Sequence, residues 1–224
     1  AEFMWLFGIT ICDGMAADFA ECKEHIVPAH PFSDDIISVS RKLAERFCCD
    51  TEHIHQVEIA ALKLFDALRK ANHLTKKDRL LLQIAAILHN CGSFLNLNDI
   101  GENSYKIVTS TEIIGLSHQE RMIVAYVIRY TTGDFPEYSE IKNEFSREEY
   151  IKIAKLNAIL CLADAMDRSH QQKFTNFTVR KRGYDLTITG QTLYDITLEH
   201  GMFIQKSPFF EEAFGIRPVL RQKK

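Results

Sequence analysis

The sequence predicts a mainly α protein with a small C-terminal α+β part: a helical bundle, then a short antiparallel β-meander, then a terminal helix. Three observations predict it. Apolar residues recur at three- and four-residue steps through most of residues 31–170, the period of helices with one buried face. Serine followed three residues later by glutamate occurs twice at the head of such a run, the pattern of a helix start. Beyond residue 170 the period falls to about two, between glycine-bearing turns. The chain divides accordingly into a leader and linker (1–30), a helical domain (31–170) and a C-terminal antiparallel sheet subdomain (171–224). With 224 residues, 46% apolar and 25% charged, it can bury a core and belongs to none of the collagen-like, low-complexity or disordered classes.

Each element has its own signal. Met4 to Cys12 is apolar and partly β-branched, and Asp13-Gly14 ends it, which predicts a short strand. Ala16 to Glu24 is a weak helix, followed by a linker punctuated by Pro28 and Pro31. Ser33 can cap a helix reaching about Phe47, with Ile36, Ile37, Val39, Leu43 and Phe47 inside. Asp50 or Thr51 caps the next, whose stripe is Ile54, Val57, Ala60, Ala61, Leu64, Phe65 and Leu68. Thr75-Lys-Lys-Asp78 opens a helix with Leu81, Ile84, Ala85 and Leu88 that stops near His89-Asn90-Cys91-Gly92. Ser117-His-Gln-Glu120 and Ser146-Arg-Glu-Glu149 are capping boxes. The helix after the second, about Arg147 to His170, is apolar nearly all round between Ile151 and Met166 and should run through the centre. Lys152, Lys155, Asn157 and Asp164 interrupt it, and it is too short to cross a bilayer. Phe174–Val179, Asp185–Thr189 and Leu193–Glu199 read as the strands of the meander. Ser207-Pro208 opens a short helix to Phe214, Gly215 ends it, and Arg217 to Lys224 is a basic tail expected to fray.

Formal charge is −3, which excludes a protein whose whole surface serves a polyanion. It is unevenly spread. Residues 171–224 hold nine Lys/Arg and five Asp/Glu, a local +4, which leaves −7 for residues 1–170. Six scattered cysteines (Cys12, Cys22, Cys48, Cys49, Cys91, Cys161), with no Cys-x-x-Cys pair, read as reduced thiols of a cytoplasmic protein. A serine-hydrolase elbow, a P-loop, a dinucleotide fingerprint and zinc spacing are all missing from the sequence.

What remains is a set of histidines and acids: His55, His89-Asn90, and Asp164 with Asp167 inside the core helix. A carboxylate such as Asp164 in an apolar helix is costly unless paired or metal-bound, and Arg168, four residues on, is its simplest partner. The order His55, Leu88-His89-Asn90-Cys91-Gly92, Leu162-Ala163-Asp164 resembles the HD superfamily of metal-dependent phosphohydrolases. The surrounding text, including Arg129-Tyr130 and Leu160-Cys-Leu-Ala-Asp-Ala-Met-Asp-Arg-Ser-His170, is similar to the HD-like C-terminal half of the exopolyphosphatase/guanosine pentaphosphate phosphohydrolase (Ppx/GppA) family, from about Ile9 to Leu220.

The resemblance implies an HD-like bundle preceded, in residues 1–30, by the remnant of an actin-like domain. Where the HD pattern has an aspartate after the second histidine this chain has Asn90. Gly101-Glu102-Asn103-Ser104 and Thr131 stand where the family carries further histidines. A divalent ion wants several anionic or imidazole donors, so His55, His89 and Asp164 are expected to be a vestigial, empty metal site with no catalytic residue and no cofactor in this piece. Mg or Mn is expected for the missing catalytic domain. The resemblance further implies a homodimer and a ligand, polyphosphate or guanosine pentaphosphate, that reaches it through the parent protein; no membrane or nucleic-acid partner is expected. The basic candidates are Arg168, His170, Lys173, Arg180, Lys181 and Arg182, with Arg217, Arg221, Lys223 and Lys224 of the tail. Two other readings stand beside this one: an active HD phosphohydrolase on a nucleotide, using His55, His89 and Asp164 with Glu102 or His118 brought in, and a purely structural interaction domain docking through Met4 to Cys12.

Overall fold

Helix α2 (Thr51–Leu68) begins where the sequence places its cap, because the Asp50 carboxylate accepts from the free backbone N–H groups of Glu52 and His53. The stripe expected on it is buried throughout, from Ile54 to Leu68. In the computed structural model, residues 32–69 and 72–223 are described. The expected strand at Met4–Cys12, the helix at Ala16–Glu24 and the linker prolines lie outside the described residues.

Before α2 comes α1 (Phe32–Arg46), and after it α3 (Lys76–Leu88), which starts on a reciprocal capping box between Thr75 and Asp78. A short 3-10 turn, η1 (Cys91–Phe94), leads into α4 (Ile100–Ser110). Gly92 permits that connection: a side chain there would collide with the Ile100 carbonyl and the Ser104 backbone nitrogen. Both serine boxes form as read, at the heads of α5 (His118–Arg129) and α7 (Arg147–Ala165), with the single turn α6 (Tyr138–Ile141) between them.

Helix α7 is the core helix. Ile153, Leu156, Ile159, Leu160, Leu162 and Ala163 are fully buried, and α2, α3, α5 and α8 (Thr197–Phe214) pack round it. It ends at Ala165, earlier than the expected His170. The Asp167 carboxylate captures the Gln172 N–H at 2.7 Å, and His170 and Gln172 take left-handed backbone angles (φ 55° and 46°) to make that turn.

The C-terminal part departs from a meander. Strands β1 (Asn176–Arg182) and β2 (Asp185–Gln191) form the expected antiparallel hairpin, turning at Gly183 (φ 58°). Leu193–Glu199 is not a third strand: Asp195 accepts from the Thr197 N–H at 2.9 Å, and the chain enters α8 there. Helix α8 thus starts ten residues before Ser207 and runs past Pro208 to Gly215, whose left-handed backbone (φ 64°) closes it. The tail does not fray. Arg217–Lys223 is β3, parallel to β2, so the sheet order is β1-β2-β3 and β2-α8-β3 is a crossover unit. Alternation within the tail decides this, since Pro218 and Leu220 are buried against α8 while Arg217, Arg221 and Lys223 face out. Among the described residues no helix is long and apolar enough to cross a membrane.

Candidate metal centre and basic sheet face

The structure brings His53, not His55, to His89 and Asp164. His55 is exposed on α2, and the apolar stripe explains why: His53 lies four residues before Val57, in phase with the buried face, while His55 is about 200° further round. His89 caps the C-terminal end of α3 and Asp164 lies in the last turn of α7, so three elements converge.

The ligand atoms form a near-equilateral triangle. His53 Nε2 is 3.2 Å from His89 Nε2 and 3.3 Å from Asp164 Oδ1, and His89 Nε2 is 3.6 Å from that oxygen. No other such group of three or more metal-binding side chains occurs among the described residues. Both imidazoles are anchored by their other nitrogen. His53 Nδ1–H donates to Asp167 Oδ2 at 2.9 Å, and His89 Nδ1–H donates to the Ala86 carbonyl at 2.7 Å. These bonds assign the tautomers and aim both Nε2 atoms inward. Asp167, grouped with Asp164 in the sequence but given no role there, is buried and orients His53 from the turn after α7.

Charge is concentrated here. Burial alone would lower the His53 pKa, but the Asp164 and Asp167 carboxylates override it and pull it up to about 9. Burial would raise that of Asp164, but the His53 and His89 imidazoles facing it hold it well below the usual carboxylate range. The two carboxylates thus favour the protonated form of His53. Arg168, the expected partner of Asp164, reaches it only at 3.7 Å. His170 stacks on His53 at 3.7 Å and bonds Asp50 Oδ2 at 2.9 Å, tying the 170–172 turn to the cap of α2. Glu102 is held by Arg129 at 2.7 Å, and His118 sits 3.3 Å from Arg121, so neither joins the set. Thr131 is buried and bonds its own helix end.

The six basic candidates do not form one patch. Lys173 is withdrawn, its side chain 11% exposed and paired with the fully buried Glu199 at 3.1 Å. Arg168 and His170 belong to the histidine cluster. Arg180 and Arg182 lie on the outer face of the sheet, and Lys181 alternates to the other side. The register then sets Thr178 beside Thr189 and Thr189 beside Arg221, Asn176 beside Gln191 and Gln191 beside Lys223, and Arg182 beside Asp185 and Asp185 beside Arg217. One face thus carries Arg180, Arg182, Arg217, Arg221 and Lys223 against one acid, Asp185, which is spent on Arg217 at 3.1 Å. A groove of about 450 Å³ crosses this face, lined in part by Asn176, Thr178, Arg180, Thr189, Gln191 and Lys223.

A family model described as Ppx/GppA phosphatase, domain III, matches residues 37–206. No curated protein matches the chain.

Proposed function

Because the chain belongs to the Ppx/GppA phosphatase family, through that family's domain III, we propose that it is a non-catalytic module that holds a chain of phosphates for a phosphohydrolase. The observation that carries this is the outer sheet face. Arg180 on β1 lies beside Thr187 of β2 and Arg221 on β3 lies beside Thr189, so a linear polyanion crossing the strands on the diagonal meets a cation at each edge and neutral donors between. Arg180, Arg182, Arg221 and Lys223 have no carboxylate in ion-pair reach among the described residues, which leaves four charges for a ligand. Binding by four such contacts falls with salt at a log–log slope of about −3. Titrating the chain with long-chain inorganic polyphosphate at low and moderate salt should give that slope. Arg180→Glu with Arg221→Glu should weaken binding by at least about tenfold. No binding at either salt level sinks the proposal.

One observation favours a second reading, a single-ion phosphohydrolase centre. The triangle of 3.2, 3.3 and 3.6 Å matches the edge, about 3.3 Å, of a tetrahedron around an ion with bonds of about 2.0–2.1 Å. His53, His89 and Asp164 fit one divalent ion of the kind that imidazole and carboxylate bind together, and Asn90 offers no anionic bridge to a second. Such an ion, when bound, polarises a phosphoryl oxygen. The chain's own contribution is to hold both Nε2 atoms in place through Asp167 and the Ala86 carbonyl. After dialysis against zinc or manganese, this reading expects close to one ion per chain, lost in His89→Ala. Less than roughly one tenth of an ion per chain removes it.

A further inference from the structure

Cys49 and Cys91 are 42 residues apart in the chain, yet their Sγ atoms lie 3.3 Å apart in a buried corner between the α1–α2 turn and η1. Cys49 is 7% exposed and Cys91 is not exposed at all. Their positions matter more than their proximity. Cys49 immediately precedes Asp50, the cap of α2 and the partner of His170; Cys91 follows His89 by two residues. The two thiols therefore join the backbone segments that carry the two facing imidazoles.

We propose that Cys49 and Cys91 form a reversible disulfide, made by a peroxide and opened by a thiol, that resets the spacing of His53 and His89. This inference stands apart from the phosphate-binding face. In the closing step a Cys49 sulfur attacks a peroxide oxygen, breaks the O–O bond and becomes a sulfenic acid, with release of water. The Cys91 sulfur then displaces that hydroxyl, forming the S–S bond and releasing a second water. Two thiols and one hydrogen peroxide give one disulfide and two waters, and the two electrons lost by sulfur reduce the peroxide. Reduction by a dithiol returns both protons and both electrons.

The surroundings say which side moves. Reaching a bond of about 2.05 Å requires an approach of a little over 1 Å. Segment η1 resists it: Gly92 is pressed on α4, its N–H is held by Ser104 Oγ at 2.7 Å, and that hydroxyl donates to the His89 carbonyl at 2.8 Å. The α1–α2 corner yields more readily, since Cys48 is exposed and holds a left-handed backbone (φ 50°) uncommon for a side chain of its kind. Closure thus draws the start of α2, with Asp50 and His53, towards the fixed His89 turn.

The test treats the whole chain with hydrogen peroxide, alkylates remaining thiols and maps peptides by mass. A species joining Cys49 to Cys91, reversed by dithiothreitol and still formed in Cys48→Ser, is the expected result. The cross-link closes a 42-residue loop and should raise the melting temperature by about 5–10 °C. Cys91→Ser should abolish that rise. The imidazole nitrogen resonances of His53 and His89 should shift on oxidation and return on reduction. Sulfinic acid on Cys49 with no cross-link, or cross-links that involve only other cysteines, overturns the proposal. So does a Cys49–Cys91 bond that leaves both imidazole resonances in place, since the pair would then be a staple and not a switch.

Discussion

His53 is the residue on which most of the cluster's electrostatics turn. Facing it are Asp164 from α7, Asp167 and His170 from the turn beyond, and His89 from the end of α3. Its pKa in the folded chain is about 9 against an ordinary 6.5. A group whose pKa is raised by folding stabilises fully below its unfolded value and loses that contribution as pH rises through the folded value. Stability from His53 is thus present below about pH 6.5 and disappears towards pH 9, a change of roughly 3 kcal/mol. Urea midpoints measured from pH 6 to 9.5 should fall over that window in the natural chain and stay flatter in His53→Gln. An equal slope in both would assign the change elsewhere. Choosing His55 in the sequence was an error of phase. The stripe from Ile54 to Leu68 was legible and is buried as read, and extending it one turn backwards reaches His53. Asp167 was visible beside Asp164 but was read as part of the core helix, and its role depends on a turn that no periodicity announces. Lys173 was misread for a related reason, since a lysine in a basic stretch gives no sign that Glu199 waits for it in the interior.

At the scale of elements, helices announced by a cap and a stripe appear where they were read, and the C-terminal part shows where such signals fail. The step of two in Leu193–Glu199 suggested a strand, but Asp195 caps the Thr197 amide and tips the segment into α8. Ser207-Pro208 looked like a helix start, yet Ser207 Oγ donates to the Phe203 carbonyl at 2.7 Å within a helix already under way. Gly190 was legible only as a turn; in the structure it lies inside β2, where the Phe174 ring packs directly over its Cα. Gly190→Ala should therefore destabilise by about 1–3 kcal/mol in urea unfolding. Gly201→Ala, in α8 with open space around it, should stabilise by about 0.5–1 kcal/mol. Equal effects at the two sites would contradict the packing of Phe174 on the strand.

At the scale of the molecule, the split between an acidic body and a basic end was visible in composition alone, but the arrangement of that end was not. Counting charges placed a +4 excess in residues 171–224. Only the parallel pairing of β3 with β2 puts Arg217, Arg221 and Lys223 on the same plane as Arg180 and Arg182. Local patterns carry no information about which strand a segment joins after an intervening helix, so a tail that looked unstructured became one side of a charged face. That pairing has a consequence for recognition. The charged face is an epitope of conformation: a hairpin peptide spanning β1 and β2 presents two of its five cations, and the other three are recruited only once α8 has crossed and docked.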